Sequence, residues 1–251
     1  MNVEAYLVRI GHGPVAIPDA ASLVTLHRAH MHSVPFENLD IHRKRRIVLD
    51  TGLLFNKIVG ARRGGICYEL NGAFGALLAA LGFKTTLLSA EVFTGDDTVG
   101  PQFDHMALLV EVDGLRYLCD VGFGDSFVEP LLLDERRERE QAGFAYQLRG
   151  TEDGYMVMRR SVQDAGPSKP TFRFSLTPRI LSDFDAMCEF HQGPESHFSR
   201  KEVCSMATAD GRITVSGAEL IVTRGASRDV AAIGTGEHRA RILEDYFGMN
   251  L

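Results

Sequence analysis

Apolar positions follow two different periods along the chain, and the change falls near Gly82. Upstream, Leu23, Leu26, His27 and His30 stand at i, i+3, i+4 and i+7 behind a Pro18-Asp19 start signal, which predicts a helix. A second helix is predicted over residues 51–59. A third opens near Cys67, where Leu70, Phe74, Leu77, Leu78 and Leu81 share one face and Gly82 suits the stop. The intervening SVPFENLDIHRKRRIVLD has no regular period and reads as a connection.

Beyond Gly82 the runs become short and β-leaning. Strands are predicted over 85–92, 105–112 and 115–121, the last two joined by Asp113-Gly114, a favoured type I′ hairpin turn. Residues 144–149, 155–160 and 171–176 continue the series, as in a β-barrel or strongly bent sheet. Residues 133–142, containing DERRERE, read as a solvated excursion. After Pro178 the pattern is mixed. Residues 180–191 read as helix, 203–207, 212–215 and 219–223 as strands with Asp210-Gly211 as a turn, and 237–247 as a closing helix. The pattern is that of an α+β fold: a helical part over 1–82, a β-barrel or strongly bent sheet over 83–178 and a mixed α/β part over 179–251.

Composition narrows the function classes. With 45% hydrophobic and 24% charged residues among 251, the chain is that of an ordinary globular protein. A net charge of −6 argues against a general nucleic-acid binder. The N-terminus lacks the long apolar core of a secretory signal, and the most apolar stretch, 73–83, is far short of the ~20 residues that span a bilayer. Cys67, Cys119, Cys188 and Cys204 show no C-x-x-C spacing and are too sparse for a disulfide scaffold. Free thiols in a cytoplasmic protein, with no membrane partner, are therefore expected.

The candidate chemistry lies in Arg62-Arg63-Gly64-Gly65-Ile66-Cys67. Two glycines lead into a cysteine at a helix N-terminus, where free N–H groups and partial positive charge favour thiolate over thiol. The same local pattern equally fits a small buried apolar cysteine. A nucleophile needs a base, and the base an orienting group. With Asp113-Gly114 as the loop, paired positions keep a constant sum of 227, so His105 stands opposite Gly122 and Asp120 opposite Ala107. His105 and Asp120 are then diagonal neighbours on one face, with Cβ atoms about 7–8 Å apart or less. A one-residue slip would separate them.

These residues lie in segments, RRGGICYELN, FDHMALLVEVDG and YLCDVGFGD, that resemble the arylamine N-acetyltransferases, as do VPFENLDIH upstream and ESHFSR downstream. The likeness runs in order over nearly the whole chain. It implies a helical bundle over 1–82, a central β-barrel over 83–178 and a C-terminal α/β lid over 179–251, an order with which the pattern agrees. It also implies acetyl transfer from acetyl-CoA, a co-substrate, to an arylamine, arylhydrazine or N-hydroxyarylamine, with Cys67 as nucleophile, His105 as base and Asp120 as orienter. Phe36, Phe123 and Phe198 would line the amine pocket, and Gly122 and Gly124 would let a loop approach the CoA pyrophosphate. Ile66 departs from the aromatic usual before the cysteine, and Asp125 is an acid where an anion would be bound. A thiol hydrolase, an amide synthase with another acyl donor and a silent homologue acting as a binding module are the alternatives.

Other features carry less. The basic run His42–Arg46 reads as a solvated loop. His27, His30 and His32 have no partner at metal-ligand spacing and read as helix-surface or capping residues, so no metal is expected. Glu69 and Asn71 read as buttresses of the site. A homo-oligomer is left open.

Overall fold

Asp19 caps the first long helix as its sequence suggests. Its carboxylate accepts the Ser22 N–H at 2.7 Å while the Ser22 hydroxyl accepts the Asp19 N–H at 3.0 Å. The computed structural model describes residues 1–95, 98–163 and 166–250. Leu251, the end of the expected lid, lies outside the described residues.

The first part holds α1 (Val3–Arg9), α2 (Ala20–Met31), β1 (Phe36–Glu37), α3 (Leu39–His42), α4 (Thr51–Phe55, continued by a π-helical turn) and α5 (Cys67–Ala80). Helix α5 is buried on nearly every side, and Gly82 ends it at φ +94°. Phe74, Leu77 and Leu78 join Leu23, Leu26 and Leu108 in the core between the helices and the sheet. Each such side chain contributes about 1.5–3 kcal/mol of burial.

The central sheet has eight antiparallel strands in the order β5-β4-β3-β2-β9-β8-β7-β6. They are β2 (Lys84–Val92), β3 (His105–Val112), β4 (Leu115–Cys119), β5 (Leu131–Leu132), β6 (Arg139–Gln141), β7 (Phe144–Gly150), β8 (Gly154–Ser161) and β9 (Lys169–Ser175). The sheet is a nearly closed barrel. Gln141 on edge strand β6 accepts the N–H groups of Val128 and Glu129, just before the other edge strand, at 3.0 and 2.8 Å. Strand β3 is buried on both faces. Leu108 and Val110 meet the helices, while Ala107 and Leu109 face a barrel core with Phe127, Tyr146 and Phe172.

The third part contains α6 (Asp185–Gln192), β10 (Val203–Thr208), β11 (Gly211–Ser216), β12 (Glu219–Arg224), β13 (Ser227–Ala232) and α7 (Glu237–Phe247). Its strands form a five-stranded antiparallel sheet whose far edge is β1, so a segment from the first part completes it.

The connection at 33–50 contains β1 and α3, and further details differ from the pattern reading. Strand β4 stops at Cys119, because the next three N–H groups bond to side chains instead of the ladder. Within the excursion at 133–142, Arg139–Gln141 forms an edge strand, fastened by Gln141. The turn before β11 is Ala209-Asp210, since Thr208 pairs with Gly211. His27 and His30 are fully buried and not on the helix surface.

Candidate active site

Cys67 opens α5 after a turn with no room for side chains. A Cβ on Gly64 would lie 1.9 Å from the Pro35 carbonyl oxygen, and one on Gly65 would lie 2.6 Å from Glu69 Oε2. That carboxylate accepts the Ile66 N–H at 3.0 Å, tying down the residue before the thiol. Glu69 also meets Lys57 at 2.7 Å, and Lys57 meets Asp40 at 2.7 Å. Arg63 donates to Glu37 at 3.0 and 2.7 Å and to Asp40 at 3.0 Å. A buried five-residue charge network thus holds the approach to Cys67. Burial works to raise the Glu69 carboxyl above its usual range, and this outweighs the opposing pull of Lys57.

The hairpin places the other two groups. Its register runs from Val112 opposite Leu115 to Leu108 opposite Cys119, the constant sum expected. Asp113 and Gly114 adopt φ values of +54° and +72°, as a type I′ turn requires. His105 Nε2 and Asp120 Oδ2 are 2.8 Å apart. The Cys67 side chain is hydrogen-bonded to His105, and Cys67, His105 and Asp120 are 3%, 3% and 0% exposed, so the three groups share one desolvated locus.

Asp120 is held on every side. Its Oδ1 accepts from Asn71 and from the Gly122 N–H, both at 2.9 Å, and its own N–H donates to His27 Nε2 at 3.1 Å. Asn71 further donates to the Met106 carbonyl at 2.6 Å and accepts the Val121 N–H at 2.9 Å. Burial opposes ionisation of Asp120, but the His105 ring and these donors keep its carboxyl below the usual range. Burial likewise opposes charge on His105, yet Asp120 and the hydrogen-bonded Cys67 side chain push the imidazole up to about 10. Burial drives His27 the other way, to about 4, so it stays neutral and can accept from the Asp120 N–H.

The three phenylalanines are partly exposed and surround this locus. Phe123 stands edge-on to His105, ring centroids 5.2 Å apart. Phe36 and Phe198 are 6.0 Å apart and pack against the cluster that contains Cys67. Gly122 makes its close approach to Cys67 itself, where an added Cβ would lie 2.7 Å from the Cys67 Cα. Gly124 has φ +87° and lies over Phe36. Asp125 is paired with Arg159 at 3.0 Å and Arg212 at 3.3 Å, which offsets its charge beside that loop. Asn71 and Glu69 are the buttresses expected. Sequence pattern gives His27, Lys57 and Arg63 no site role, because their partners lie far away along the chain. Among the described residues, no group of three or more His, Cys, Asp or Glu is placed to hold a metal, and no helix is long and apolar enough to cross a membrane.

A thiol at a helix N-terminus, beside an imidazole held by a buried carboxylate, defines a class of acyl-transfer enzymes. A family model described as N-acetyltransferase matches residues 19–251. The arylamine N-acetyltransferase of Mycolicibacterium smegmatis is 32% identical over 258 residues, covering 100% of this chain and 93% of its own. The solved arylamine N-acetyltransferase from Salmonella typhimurium superposes with a TM-score of 0.91 at 28% identity, covering 98% of this chain and 90% of that one. The Mycobacterium marinum enzyme, solved in complex with CoA, superposes with a TM-score of 0.90 at 29% identity, covering 99% and 93%. This chain belongs to the arylamine N-acetyltransferase family, and it is an acyltransferase.

Proposed function

We propose that acetyl-CoA is the donor, that an arylamine, arylhydrazine or N-hydroxyarylamine is the acceptor, and that acetyl-Cys67 links two half-reactions. The observation that carries this reading is the buried line of Cys67, His105 and Asp120, with His105 raised to about 10 by Asp120 and Cys67. The likeness to an enzyme solved with CoA supports the choice of donor.

In the first half-reaction His105 holds the thiol proton as an imidazolium, and Asp120 fixes its tautomer and orientation. The Cys67 sulfur attacks the thioester carbonyl. The Cys67 N–H, at the start of α5, stabilises the developing oxyanion. The C–S bond to CoA breaks, and CoA leaves as a thiol with the proton from His105. In the second half-reaction the amine attacks the acetyl-cysteine carbonyl, His105 takes a proton from the amine nitrogen, and the amide departs as the thiol is restored. Phe36, Phe123 and Phe198 hold the aromatic acceptor, and the Gly122–Gly124 loop borders the donor. The three-part division, 1–82, 83–178 and 179–251, fits this scheme with the third part as a lid that limits hydrolysis of the thioester.

Initial rates over a matrix of acetyl-CoA and 4-anisidine concentrations test the scheme. Parallel double-reciprocal lines, and loss of turnover in Cys67→Ala, are expected. Intersecting lines, or turnover that survives Cys67→Ala, would refute the acetyl-enzyme.

A further inference from the structure

We propose that His191 is a positioning residue for the acceptor: it joins Asp104 to Ser196 and so fixes the Phe198 ring at the amine pocket. The inference rests on the acetyl-transfer reading and adds a determinant of acceptor binding outside the triad.

His191 lies on α6 and is 2% exposed. Its Nε2 is 3.1 Å from Asp104 Oδ1, off the axis of a well-aimed hydrogen bond, and its Nδ1 is 3.2 Å from Ser196 Oγ. Both ends lead to the site. Asp104 directly precedes His105, and the carbonyls of Phe103 and Asp104 accept the Tyr68 hydroxyl at 2.7 and 3.2 Å. Tyr68 directly follows Cys67. At the other end, Ser196 Oγ accepts the Phe198 N–H at 3.2 Å. The Phe198 ring then stands 5.1 Å from the His191 ring at 70° and 6.0 Å from Phe36.

A backbone N–H can only donate, so Ser196 Oγ accepts from Phe198 and has its own hydrogen free for His191 Nδ1. His191 Nε2 faces the Asp104 carboxylate. Ser196, His191 and Asp104 have the residue types of a hydrolytic triad. However, Ser196 is 2% exposed and its oxygen already caps a backbone N–H, so it serves as a cap and not as a nucleophile. Packing alone does not call for histidine. The neighbouring Tyr68, Phe190 and Phe198 rings, at 6.0, 5.6 and 5.1 Å, would accommodate an apolar ring there. Only two nitrogens on one ring supply both links.

The test uses the whole protein with His191→Phe, which keeps the ring and removes both nitrogens. His191→Asn retains an amide near the Nδ1 position, and His191→Gln retains one near Nε2. Three quantities are measured for each: the rate of acetyl loading from acetyl-CoA, discharge of the acetyl-enzyme by hydrazine, and KM for 4-anisidine. Hydrazine is too small to need the aromatic pocket. Losing a positioning hydrogen bond should raise KM for 4-anisidine roughly three- to tenfold in His191→Phe. Loading and hydrazine discharge should stay within about twofold of wild type, and the two amide variants should fall between, since each keeps one link. An unchanged KM in a variant that loads normally would overturn the proposal. So would a parallel fall in all three quantities, which would mark a general structural role. If His191→Phe does not fold, the amide variants carry the same comparison. A wild-type protein that never loads would overturn the acetyl-transfer reading and this proposal together, a result distinct from either of the others.

Discussion

Gly122→Ala adds one methyl group at the closest backbone contact of the site. Its Cβ would lie 2.7 Å from Cys67 Cα, 2.7 Å from Asn71 Nδ2 and 3.0 Å from the Cys67 carbonyl oxygen. Ordinary contact begins at 3.4 Å, so something must give by about 0.7 Å. None of these atoms ends a flexible chain. Two belong to the nucleophile's backbone, and Asn71 is fixed by bonds to Met106, Asp120 and Val121. Overpacking of this kind costs about 1–3 kcal/mol. For a chain this size that lowers Tm by roughly 3–10 °C. A displacement approaching 1 Å between nucleophile and base should slow acetyl loading by about 10- to 100-fold. Rapid-quench mass measurement of the loading rate, beside a thermal melt, reads both effects. A variant that melts like wild type and loads within twofold of it would refute the close-contact reasoning. If Gly122 only bordered the donor, KM for acetyl-CoA would rise while loading at saturation held.

Asp120→Asn keeps the shape but removes the charge that orients His105, and steady-state turnover should fall by about 10³–10⁴-fold; a loss below tenfold would contradict the orienting role. His105 is raised from 6.5 to about 10, so its stabilising contribution is complete below about pH 6.5 and is lost as pH rises through about 10. Melts across that range should show the Tm gap between wild type and His105→Gln narrowing with increasing pH, and a widening gap would contradict the raised imidazole. Arg63→Met leaves Glu37 and Asp40 short of a buried cation and should cost about 3–5 kcal/mol by chemical denaturation; a loss under 1 kcal/mol would show that Lys57 alone suffices.

Local signals made the two halves of the candidate site legible. The glycine pair, the start of α5 at Cys67 and the left-handed stop at Gly82 are short-range features. A two-residue turn sets a register, and that register holds as far as Leu108 opposite Cys119, one residue short of Asp120. What remained hidden depends on contacts remote in sequence. Strand β4 reads as continuing to Val121, but the N–H groups of Asp120 and Val121 turn to His27 and Asn71, which sit on helices. For the same reason the sequence places His27 on the helix surface. Its burial against Phe74 and Phe127 follows from how α2 packs, not from its helical spacing. Helix α1 has only seven residues, too few for a clear period, and β13 is exposed throughout and shows no alternation. The charge network of Glu37, Asp40, Lys57, Arg63 and Glu69 spans three separate segments, and sequence pattern pairs none of them.

Intact-protein mass spectrometry after brief mixing with acetyl-CoA tests the central claim most directly. One acetyl adduct is expected on the wild-type protein, none on Cys67→Ala, and the adduct should vanish when an arylamine is added. An adduct that persists on Cys67→Ala, or one that no arylamine discharges, would contradict transfer through Cys67.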